Sequence, residues 1–247
     1  MLLDEKNKHC RDWRIKFNPQ LHKYSIDGNE NYISVTTLVK EFFNKFDESN
    51  VIEKIQNLEN SKYYGMAKEQ ILKKWKISQE LGILLHDTIE HFYNELNYNV
   101  PNEIETEFAQ FLCFNSTLKW KVLRTEWCIF DEKFQIAGTV DIIFYDPSTE
   151  KYHIMDWKRT SKIPKMNPYS HGKPPLDCLD DCKFNHYSLQ LNIYKFILEK
   201  KYGLKIESMT IVIFHPDNNN YIIEKVVDHQ ELVKQLLNVY IETKPFH

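Results

Sequence analysis

Asp141 closes the run Gly138-Thr139-Val140-Asp141, and fifteen residues later the chain reads Asp156-Trp157-Lys158. The stretches around them, residues 136–145 and 151–158, are rich in β-branched and aromatic residues and read as strands. Between them Asp146-Pro147-Ser148-Thr149 is a type I turn sequence with proline at its second position. A hairpin that pairs Tyr145 with Tyr152 and Ile143 with Ile154 sets Asp141 opposite Asp156, roughly 5 Å away, with Lys158 on the same face. Acids facing each other destabilise a sheet, so two of them in apolar strands suggest a hard cation between them and a lysine at hand.

Other residue types suit the same chemistry. Helical spacing puts Gly82, His86, Ile89, Glu90 and Tyr93 on one face, and a neutral His86 nitrogen can join a metal held by Asp141 and Asp156. Gly82 is costly in mid-helix and marks a close approach to something. Glu126, in the strand around residues 122–130, is a further candidate catalytic acid. Gln190 and Tyr194 stand four apart on a helix that is apolar on two faces, so an inward glutamine there must bond to backbone, site or substrate phosphate. The segment 157–176 carries Lys158, Arg159, Lys162, Lys165, His171 and Lys173 with no acid at all, which suits tracking a phosphate backbone. Lys68, Lys73, Lys74 and Lys76 form a second patch. Cys178, Cys182 and His186 lie near one another without a second cysteine pair, so free thiols are expected rather than a zinc site.

These residues need a scaffold. At 247 residues, 42% hydrophobic and 27% charged, the chain is long enough for one large domain with a real interior. A net charge of −3 excludes a polycation, although a local basic surface suffices for phosphate contacts. Five scattered cysteines, an N-terminus without an apolar signal region and no membrane-length apolar run point to a soluble protein of a reducing intracellular compartment (cytoplasm, nucleus or viral replication site), not secreted. A hairpin of residues 22–26 and 32–36 turned at Asp27-Gly28-Asn29 is expected first. Helices follow at 37–46, 50–58, 66–76, 79–96 and 103–118, then strands across 120–158 and an irregular segment at 159–183. A helix at 185–200, strands at 208–215 and 221–227, and a helix at 230–241 complete the chain. This order predicts an α/β fold with a central mixed sheet flanked by helices: an N-terminal hairpin and helical extension over 1–78, and a core over 79–247.

Gly82-Ile83-Leu84-Leu85-His86, Gly138-Thr139-Val140-Asp141, Asp156-Trp157-Lys158 and Gln190-Leu191-Asn192-Ile193-Tyr194 occur in an order and spacing similar to the RecB-like branch of the PD-(D/E)XK nucleases. That branch includes the mitochondrial genome-maintenance exonuclease and the CRISPR-associated adaptation nucleases. The likeness spans about 79–200, and the N-terminal hairpin with its following helices also resembles relatives in large DNA viruses. The resemblance implies a restriction-endonuclease-like core in which His86, Asp141, Asp156 and the Trp157 carbonyl bind one or two Mg²⁺ or Mn²⁺ ions. It implies that Lys158 orients or activates the attacking water, and that Gln190 and Tyr194 shape the site and contact DNA. Arg159 departs from the threonine often found after the lysine, and no iron–sulfur cluster is expected because no cysteine follows Cys182. The implied activity is metal-dependent hydrolysis of DNA, as an exonuclease on single strands or ends in replication, repair or recombination. Endonuclease action, RNA cleavage and non-catalytic nucleic-acid binding remain alternatives, the last opposed by the intact His86, Asp141, Asp156 and Lys158 set.

Overall fold

In the computed structural model, which describes residues 2–243, the N-terminal segment is α1 (Leu3–Lys6), a 3-10 turn at Asp12–Arg14 and an antiparallel hairpin of β1 (Ile15–Asn18) with β2 (Lys23–Ile26). The hairpin therefore differs from the expected one. Asp27 and Gly28 do turn tightly, both at positive φ (51° and 84°), and Ile26 and Asn29 exchange backbone hydrogen bonds across them. The chain then leaves, because residues 15–18 are the better partner: Ile15 lies opposite Ile26, and the Phe17 and Tyr24 rings pack 4.7 Å apart. β3 (Ile33–Ser34) instead joins the central sheet, parallel to residues 136–137.

α2 (Val35–Glu41) starts where Ser34 Oγ accepts the Thr37 N–H, and α3 (Glu48–Asn57) where the Asp47 carboxylate accepts from Asn50. α4 (Lys68–Tyr93) is one helix of 26 residues where two were expected. Neither proline nor glycine stands between Lys76 and Gln79, so the backbone ladder continues. The expected border between residues 78 and 79 falls inside this helix, and Val35, Leu38 and Val39 of the N-terminal part lie in the main core.

After α5 (Glu105–Thr117), β4 (Lys121–Asp131), β5 (Ile136–Asp146) and β6 (Lys151–Arg159) form an antiparallel meander with the expected register of Tyr145 against Tyr152 and Ile143 against Ile154. Its two turns share one construction. Asp131 and Asp146 each accept the N–H two residues on, and Gln135 and Glu150 close the loops in the left-handed region, at φ 50° and 55°. α6 (Lys183–Lys201) is the crossover that sets β7 (Ile206–Phe214) parallel to β6. β8 (Ile222–Val226) pairs antiparallel with β7, and α7 (Gln230–Thr243) ends the described chain. The result is a mixed sheet of six strands with helices on both faces: α2, α6 and α7 cover one apolar cluster, α4 and α5 the other. No helix among the described residues is long and apolar enough to cross a membrane.

One detail of this sheet positions the site. Along one edge of β5, residues 136–137 pair with β3 and residues 142–146 with β6. Between the two partners the strand passes residues 138–141, the whole of the Gly-Thr-Val-Asp run, where no strand partner lies on that edge among the described residues.

Candidate metal centre

Asp141 stands at the end of this gap, and the registers on either side place an acid beside it on each neighbouring strand. Thr125 pairs with Ile142 and Trp127 with Val140, so Glu126 of β4 lies level with Asp141. On the other side Ile142 pairs with Met155, and the next step along that register brings Asp156 of β6 level with it. Instead of a further ladder bond, the Trp157 N–H donates to Asp141 Oδ2 at 2.9 Å. Three carboxylates thus form a row across β4, β5 and β6. Glu126 sits at φ 43°, which breaks the strand's regular alternation and turns its carboxylate toward α4.

α4 supplies the fourth group. His86 Nε2 lies 3.0 Å from the Trp157 carbonyl oxygen, a hydrogen bond that leaves Nδ1 aimed at Asp141 Oδ2 (3.5 Å) and Glu126 Oε1 (3.7 Å). An imidazole lone pair facing two carboxylates is repulsive unless a positive charge lies between them. A proton meets the need: burial alone lowers the basicity of His86, but Asp141 and Glu126 outweigh it and raise its pKa to about 9. A divalent cation meets it equally well, since ligand atoms of His86, Glu126 and Asp141 all lie within 4.8 Å of one another. One nitrogen with carboxylate oxygens suits Mg²⁺ or Mn²⁺.

Asp156 and Lys158 form the other half of the site. The Lys158 ammonium sits 2.5 Å from Asp156 Oδ2, 3.2 Å from the Trp157 carbonyl oxygen and 4.8 Å over the Tyr187 ring. Burial pushes Asp156 up to about 6, against the pull of Lys158 and with the help of Asp141. Burial also works against the ammonium, yet Asp156 and Asp141 outweigh it and hold Lys158 charged. Asp141 is raised by burial and by Glu126, against His86 and Lys158. The residues that converge on one ligand-sized space are therefore His86, Glu126 and Asp141. Asp156 is engaged by Lys158, and the Trp157 carbonyl already accepts from both His86 and Lys158.

Tyr194 of α6 packs over the face of β5 at Gly138. A Cβ on Gly138 would lie 2.5 Å from Tyr194 Cε1, so only glycine leaves room for the ring. Gln190 Nε2 donates to the Tyr194 hydroxyl at 3.2 Å, which supplies the partner an inward glutamine needs. Tyr187, at helical spacing from both, was recognisable only by that spacing.

The basic segment is committed largely to its own protein. Arg159 is paired with Glu107 of α5 at 2.6 Å, Lys165 with Glu224 at 2.6 Å, and Lys173 Nζ donates to the Glu41 carbonyl at 2.7 Å. Lys162 keeps its side chain exposed. His186 bonds Asp181 at 2.9 Å, with Cys178 exposed and Cys182 buried as free thiols. The expected close approach at Gly82 is absent, since a Cβ there meets nothing within 4 Å.

No family model and no curated protein matches this chain. Among solved structures it is similar to that of SSO0001, at 16% identity over 98% of this chain and 82% of the other with a TM-score of 0.37, a likeness too loose to carry an argument.

Proposed function

We propose that this chain is a Mg²⁺- or Mn²⁺-dependent deoxyribonuclease of the RecB-like PD-(D/E)XK type, acting on single strands or DNA ends. The observation that carries the reading is the convergence of His86, Glu126 and Asp141 within 4.8 Å beside a half-buried, charged Lys158. A bound divalent ion would supply a hydroxide-like water and neutralise charge at phosphorus. His86, Glu126 and Asp141 would hold it, with Asp156 joining once a substrate phosphate draws Lys158 away. A charged ammonium is a poor base, so Lys158 orients the attacking water through hydrogen bonds. It also faces the oxygens that gain charge as the bond to phosphorus forms. Tyr194, locked by Gly138 and bonded to Gln190, walls the site on the α6 side.

The test is incubation of end-labelled single-stranded DNA, duplex DNA, flaps and RNA with the chain in Mg²⁺ or Mn²⁺, with chelator as control. Cleavage of DNA should require the metal, and Asp141→Asn and Lys158→Ala should each lower the rate by roughly 10²-fold or more while leaving the circular dichroism spectrum unchanged. Calorimetry should show weaker Mn²⁺ binding in His86→Ala. Robust cleavage by Lys158→Ala would overturn the mechanism, and preferred cleavage of RNA would move the substrate class.

A further inference from the structure

Lys68, Trp75, Gln79, Gly82 and His86 follow one another on α4 at helical steps, which sets them along a single stripe that ends at the metal centre. Trp75 stands about 16 Å from His86 along the axis, at 1.5 Å per residue. Its ring is the middle of an aromatic group, with Phe46 at 6.3 Å and Tyr63 at 6.4 Å. Phe46 is 69% exposed, far more than an aromatic ring needs for packing. Cations border the group: Lys62 Nζ lies 5.4 Å over the Tyr63 ring, Lys68 reaches Ser49 Oγ at 3.2 Å, and Lys76 makes a loose 3.8 Å contact to Glu80. Between Trp75 and His86 the stripe is bare at Gly82, a residue that weakens a helix interior and has no packing reason here.

We propose that this stripe is the track on which single-stranded DNA reaches the metal centre, a reading that rests on the nuclease function proposed above. Bases stack on Trp75 and Phe46, phosphates pass Lys62, Lys68 and Lys76, and the strand lies over Gly82, where a larger side chain would block it. Stacking of this kind needs unpaired bases, which selects a single strand over a duplex. The cations of the 157–176 segment that are paired internally are less available for the same task.

Anisotropy of a fluorescein-labelled oligothymidine, measured in chelator so that nothing is cleaved, tests this. The wild-type chain should bind the oligonucleotide more tightly than a duplex of equal length. Trp75→Ala should weaken binding roughly ten-fold, and Trp75→Phe should restore most of it. Gly82→Leu should weaken it comparably without lowering the melting temperature, whereas Gly82→Ala should bind nearly as the wild type. Mn²⁺ binding should be unchanged in all four variants. Wild-type binding that Trp75→Ala and Gly82→Leu leave intact would overturn the track while sparing the nuclease reading. A wild-type chain that neither binds nor cleaves DNA would overturn both.

Discussion

Glu126 combines two properties that a structural residue rarely combines: it occupies a left-handed backbone conformation inside a strand, and its carboxylate faces His86 3.7 Å away. A side chain in that region costs about 1–2 kcal/mol, a strain tolerated where the resulting direction is needed. Glycine carries no such cost, although it weakens ordinary strand positions. Glu126→Gly should therefore be more stable than Glu126→Ala by about 1 kcal/mol in urea unfolding, the reverse of the usual order, and both should lose Mn²⁺ affinity. Equal stabilities would show that the backbone at 126 carries no strain. At this scale the sequence revealed much of the site. Asp141, Asp156 and Lys158 were legible because strands repeat every two residues and the Asp-Pro turn fixes the register. Glu126 was legible as an acid but not as a ligand-sized neighbour of His86, since no sequence pattern announces a positive φ at glutamate. The role of Gly138 was equally hidden, because it depends on Tyr194, far along the chain.

The strands carrying these residues are held in place by the elements around them, and one tie is buried. Arg159, the residue after Lys158 in β6, reaches Glu107 of α5, with side chains 10% and 1% exposed. Removing one member strands the other charge in a poorly hydrated place, which costs about 3–5 kcal/mol in such pairs. Glu107→Ala should lose stability on that scale in urea unfolding, and Glu107→Gln, which keeps a hydrogen-bond acceptor for the guanidinium, should lose less. A loss below about 1 kcal/mol would mean that the pair is screened as a surface pair is. The same contact explains why a cation that reads as a DNA ligand in sequence is turned inward. Helices and meander strands were legible from periodicity and turn chemistry. A strand over 32–36 was legible, but not its partner or its length: it shrinks to the two residues of β3 and joins β5, while residues 15–18 take its expected place beside 23–26. The length of α4 was misjudged because its exposed middle loses apolar periodicity although nothing there breaks a helix.

For the molecule as a whole, the N-terminal segment braces β4 where that strand is strained. Asp12 takes Arg124 Nη1 at 2.7 Å and Trp127 Nε1 at 2.8 Å, close on either side of Glu126. Arg11 and Arg14 each pair with Glu132 at 2.9 Å, in the turn that joins β4 to β5, and Lys201 of α6 approaches it at 3.5 Å. Asp12, Arg11 and Arg14 lie more than a hundred residues from these partners in sequence, so no local pattern foretold the clamp. Burial raises the Glu132 carboxyl, but the Arg11 guanidinium and then Lys201 outweigh it and hold it down at about 2. Its ordinary value is 4.5, so the folded state favours the ionised form. The stabilisation is therefore complete above the ordinary value and is lost as the pH falls through about 2. Asp12 is shifted the same way, with Arg124 outweighing its burial. Glu132→Gln should melt below the wild type at neutral pH. The gap should narrow steadily once the pH drops under the ordinary glutamate range and should close near pH 2, where the wild-type carboxyl is itself protonated. A gap in melting temperature that stays constant down to that pH would mean that Glu132 contributes through packing rather than charge, and that the N-terminal brace does not depend on the carboxylate.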